Sequence, residues 1–62
     1  MLTIYYDNQK AIVANEQTRK YRTMSLLDAR AHAKGKQVRA KSRQGLSGII
    51  EMLLNAGFEE EE

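Results

Sequence analysis

Ser25-Leu26-Leu27-Asp28-Ala29-Arg30-Ala31-His32-Ala33-Lys34-Gly35 is the stretch on which the fold turns. Ser25 is a good N-cap, and Asp28 stands three residues on, where the acid of a capping box sits. Leu26 to Ala33 are strong helix formers, Lys34 lies in the last turn, and Gly35 follows where a left-handed C′ residue is favoured. The pattern predicts a helix over 25–34. Leu26, Ala29 and Ala33 make a narrow stripe at i, i+3 and i+7, and the small side chains suit a helix lying close on a sheet.

Downstream, Lys36 to Arg43 alternates. Gln37, Arg39, Lys41 and Arg43 share one face and Val38, Ala40 and Ser42 the other, the pattern of a half-buried strand with a basic outer face. Gln44-Gly45 breaks it. Leu46, Ile49, Ile50 and Leu53 then recur at helical spacing, widened by Met52 and Leu54, which predicts a helix over 46–55. Gly57 suits the C′ position of that helix, and Phe58 at C″ would pack on Leu53. Upstream, Leu2 to Tyr6 and Ala11 to Ala14 are strand formers either side of Asp7-Asn8-Gln9, and together they predict a β-hairpin. Leu2, Ile4 and Tyr6 would share one face, leaving Tyr5 toward water or a partner. Asn15-Glu16-Gln17 is a second break, and Arg19 to Met24 is a candidate third strand. The order β-β-(β)-α-β-α defines an α+β fold, a small antiparallel sheet carrying two helices, with no internal repeat.

The 62 residues suffice for one domain, placed at 1–58, with 59–62 as an acidic tail too short and uniform to pack. A domain of this size buries only about 60% of its unfolded surface, so association with itself or a partner is expected. Cys is absent, which excludes disulfides, thiolate metal sites and a cysteine nucleophile. No apolar run reaches the ~18–20 residues of a membrane span, and Met1 to Tyr6 lack the features of a signal peptide. A cytoplasmic protein is expected. Residues 1–50 hold all ten Lys and Arg against Asp7, Glu16 and Asp28, a net +7, while residues 51–62 hold five Glu and no base. Such asymmetry marks an interaction surface on the body.

Enzymatic chemistry finds little support in the sequence. His32 is the only histidine, with Asp28 at i−4 as its one helical neighbour, and neither a metal site nor a cofactor site is expected from these residues. Two basic clusters are stronger candidates. Arg19, Lys20 and Arg22 would reach phosphates, with Tyr21 among them to stack on a base. Arg39, Lys41 and Arg43 lie on the basic strand face, and Ser42 would add a hydroxyl near the start of the second helix, where unpaired N–H groups favour an anion. Neither a nucleotide-loop spacing nor a helix-turn-helix, zinc-finger or RNA-recognition signature is present. The two clusters make a nucleic-acid surface only if they share a face. Ile49, Met52 and Leu54 are candidates for a homodimer seam or partner site.

Gln44-Gly45-Leu46 through Ile50 to Leu54-Asn55-Ala56-Gly57-Phe58 resembles the closing helix of HicA-type toxins, small RNases with a double-stranded-RNA-binding-like fold. That family's histidine sits on a strand after a glycine, whereas His32 lies in a predicted helix, and the family's leading helix has no counterpart. Neither activity nor site residues carry over. The hairpin–helix–strand order also looks like that of small phage proteins that inhibit host enzymes, a likeness of topology alone. The sequence therefore leads to a small non-enzymatic regulator whose basic body contacts the nucleic-acid backbone, DNA or RNA. The alternative is a protein-binding module, such as a phage or mobile-element inhibitor, that docks on a larger host protein.

Overall fold

Ala11, Ile12, Val13 and Ala14 are all buried, Ile12 completely. Successive side chains of a strand point to opposite faces, so a strand buried at four positions running must be covered on both sides. The computed structural model, which describes residues 2–61, has this arrangement. Met1 of the expected domain and Glu62 of the expected tail lie outside the described residues.

The strands are β1 (Leu2–Tyr6), β2 (Lys10–Asn15), β3 (Lys20–Ser25), β4 (Val38–Ser42) and β5 (Glu59–Glu60), and the helices are α1 (Leu26–Ala33) and α2 (Leu46–Asn55). They form one five-stranded sheet in the order β4-β1-β2-β3-β5. The first three strands are an antiparallel meander, but β4 pairs parallel with β1, and β5 parallel with β3. The sheet is mixed, which corrects the antiparallel expectation. A helix of two or three turns is about as long as a five-residue strand, so each strand–helix–strand passage returns the chain to its starting end and the next strand runs parallel. The α1 passage moves from β3 to β4 and the α2 passage from β4 back to β5, on opposite faces. Reversing both direction and face is a rotation about the strand axis, so the two passages share one hand, as the rule for parallel connections requires.

Each helix closes its own apolar cluster. Ala29 joins Leu2, Ile4, Ala11 and Val13 on one face, and Leu46 and Leu53 join Ile12, Ala14 and Tyr21 on the other. Ser25 caps α1, its Oγ accepting from the Asp28 N–H at 3.2 Å. At the end of α1, Gly35 follows the C-cap Lys34 with the positive φ expected of it, and the chain leaves the helix there by a tight turn. Lys34 is extended, Gly35 has φ 77, and the Lys36 N–H donates to the Ala33 carbonyl at 3.0 Å. This is a type II turn, in which glycine takes the third position. The end of α2 is as expected: the N–H groups of Gly57 and Phe58 donate to the carbonyls of Leu54 (3.1 Å) and Leu53 (2.9 Å), the two bonds of a Schellman motif. Asp7 closes the first hairpin, one carboxylate oxygen accepting from the N–H groups of Gln9 and Lys10 at 2.7 Å each. These bonds, that from Lys10 foremost, hold its carboxyl below the usual aspartate range.

The acidic segment, expected to stay off the fold, supplies β5. Glu59 N–H donates to Arg19 O at 2.9 Å and Glu61 N–H to Tyr21 O at 2.8 Å. The Schellman turn at Gly57 delivers the chain to the open edge of β3, whose outward backbone groups can pair with a strand whatever its side chains.

Candidate functional site

The basic residues of β3 and of β4 stand apart. β1 and β2 lie between the two strands, a separation of about 14 Å at the usual strand spacing. Their faces differ as well. Lys20 and Arg22 are opposite Asn15 and Val13 and lie on the α1 side, whereas Arg39 and Lys41 are opposite Thr3 and Tyr5 and lie on the α2 side.

The β3 cluster is engaged within the fold. Lys20 Nζ is 3.4 Å from a Glu59 carboxylate and Arg22 Nη1 is 3.9 Å from that of Glu61. Arg19 ends the loop between β2 and β3 with φ 58. Its Nη1 donates to the Ala56 carbonyl at the end of α2 (3.1 Å), and its guanidinium lies 5.5 Å from the centre of the Phe58 ring. Tyr21, expected to stack on a base, is buried in the α2-side cluster. Strand alternation turns it to the face opposite Lys20 and Arg22, where α2 covers it.

The β4 cluster differs. Among the described residues the ion pairs are those of Lys20 and Arg22, and Arg39, Lys41 and Arg43 enter none. Arg39 and Arg43 are exposed and Lys41 half-buried. Arg43 lies just beyond the strand, its N–H donating to Tyr6 O (2.8 Å) and its Nη1 to Ser42 O (3.0 Å). Ser42 is exposed on the α1 face of β4. From Ala29 to Ile50 the chain carries six bases and no acid. One edge of the sheet is therefore basic, while the other carries Glu59, Glu60 and Glu61.

The N-cap of α2 is Gly45, at φ 72 and with no side-chain cap bond, and Ser47 sits within the first turn. Ile49 is half-buried against the α2-side cluster. Met52 and Leu54 are 46% and 52% exposed, but two residues apart on a helix is about 200° around its axis, so they flank opposite sides of α2 and do not form one seam. His32 is half-buried on α1, beside a shallow surface shared with Arg22, Met24 and Asp28. Among the described residues no group of His, Asp and Glu forms a metal-holding cluster, and no helix is long and apolar enough to cross a membrane.

The sequence reading missed an apolar groove of about 540 Å³ beside β4, between it and α1. Its signal is the weak stripe of α1, whose alanines make a helix too slender to cover a sheet this wide. Comparison with protein-family models, with curated proteins and with solved structures gives no match to this chain.

Proposed function

We propose that the protein is a non-enzymatic protein-binding module, acting in the cytoplasm, that docks through the β4 edge on an acidic surface of a larger protein and regulates it by occupancy. One observation carries this reading: the outer edge of the sheet holds Arg39 and Lys41, with Arg43 adjoining, in no ion pair among the described residues, beside a largely apolar groove. Basic charge so placed steers the module toward acidic partners, and the apolar surface supplies burial once contact is made. A nucleic-acid backbone would use the charge alone. The eight residues expected to contact it lie on or beside two separate strands and on two faces, several of them engaged within the fold.

The test is affinity capture on the wild type and on the triple variant Arg39→Gln, Lys41→Gln, Arg43→Gln, from lysate treated with nuclease, followed by reconstitution from purified components. The expected result is a stoichiometric protein partner that survives nuclease and binds the triple variant about tenfold or more weakly. Recovery of nucleic acid alone from untreated lysate, lost in the triple variant, would return the protein to the nucleic-acid class.

A further inference from the structure

We infer that the β4 edge receives an extended segment of its partner as an added strand, one in which acidic residues alternate with apolar ones. The inference rests on the protein-binding reading above and specifies the chemistry of the partner.

The backbone supplies the first part of the case. Gln37 O accepts from the Leu2 N–H (3.3 Å), and the Arg43 N–H donates to Tyr6 O (2.8 Å), so the odd-numbered residues of this strand bond inward to β1. By the alternation of the ladder, Val38, Ala40 and Ser42 direct their N–H and C=O groups off the sheet. The Ser42 carbonyl already takes the Arg43 guanidinium, which leaves the Val38 and Ala40 carbonyls and all three N–H groups for an incoming strand.

The side chains supply the second part. On the α1 side Ile4, Tyr6, Leu26, Ala33, Val38 and Ala40 give the groove an apolar floor and wall, with Asp7, Asn8 and Arg30 as the polar part of its lining. On the α2 side of the same edge stand Arg39 and Lys41. A strand added here sends every second side chain over the groove and the others alongside the two bases. Apolar residues complement the first set of positions and carboxylates the second. A second copy of the chain fits poorly. β4 against β4 opposes Arg39 and Lys41 to themselves, and β5 with the residue after it presents Glu59, Glu60 and Glu61 in succession with no apolar residue for the groove.

The probes are two short fluorescent peptides of one composition, one alternating Glu with Val and one holding Glu and Val in separate blocks, titrated against the intact protein at physiological salt. The alternating peptide is expected to bind about tenfold or more tightly than the block peptide, and to protect the amides of Val38, Ala40 and Ser42 from hydrogen exchange. Ala40→Pro removes an outward N–H from an edge strand, where proline is tolerated, and should abolish the preference with the urea midpoint unchanged. If that variant unfolds, N-methylation of the peptide's edge-facing amides asks the same question of the wild type. Equal binding of the two peptides overturns strand addition and leaves an acidic partner held by charge. Binding of a single-stranded oligonucleotide with no binding of either peptide overturns this inference and the protein-binding reading together.

Discussion

Arg19 shows how one residue can be held in place by several small effects. A non-glycine residue in the left-handed region costs about 1 kcal/mol or more, and Arg19 sits there at φ 58. Its side chain offsets that cost by bonding the last turn of α2 at Ala56 and lying over Phe58. Arg19→Gly relieves the backbone while losing both contacts, so its stability should stay within ~1 kcal/mol of wild type. Arg19→Ala keeps the strain and loses the contacts, and should lie about 1 kcal/mol below the glycine variant in urea unfolding. Equal stabilities for the two would show that the backbone stores no strain there. The burial of Tyr21 was also partly legible. Within the candidate strand from Arg19 to Met24, the two-residue period sets Tyr21 against Lys20 and Arg22, but which face a helix covers is not a local property.

At the scale of elements, both helices were legible because capping residues and apolar periodicity act within a few residues of each other. The Schellman ending of α2 joins local to distant structure, since Gly57, with φ 92, turns the chain from the helix into β5. Gly57→Ala should cost about 1 kcal/mol and speed amide exchange at Glu59 and Glu61, whose N–H groups bond β3. A variant of unchanged stability and protection would mean that β5 docks independently of the turn. The ion pairs Lys20–Glu59 and Arg22–Glu61 add little to that docking, because their side chains are roughly half or more exposed and such pairs contribute about 0–1 kcal/mol. Backbone bonding is what seats the acidic strand.

For the whole molecule, two apolar clusters share one sheet, with Ile4 buried under α1 and Ile12 under α2. β2 contributes to both clusters, so neither can be lost while the other stays intact. Ile4→Val and Ile12→Val should each lower stability by about 1 kcal/mol and shift one common urea transition, seen alike by far-UV circular dichroism and tyrosine fluorescence. Separate transitions for the two probes would show that the layers unfold independently. Charge is divided on the same scale. The acidic β5 lies about 19 Å from β4, four strand spacings away, so while paired with β3 it does not cover the basic edge. The acidic segment thus engages the bases of β3, where Lys20 and Arg22 pair with Glu59 and Glu61, and leaves those of β4 uncovered.

The sequence by itself determined the hairpin, the two helices with the N-cap of the first and the Schellman ending of the second, the alternation of the basic strand and the asymmetry of charge. Each of these arises from side-chain period, backbone preference or composition along a short stretch. Only the tertiary structure decided that β4 and β5 join the sheet in parallel at opposite edges, that α1 and α2 cover opposite faces, and that the β3 bases are engaged while the β4 bases are not. Those outcomes depend on which distant backbone groups meet and on how much sheet each helix can cover. Glu59 and Glu60 have no strand signal of their own, and they become a strand because α2 ends beside an edge whose outward backbone groups are free to pair.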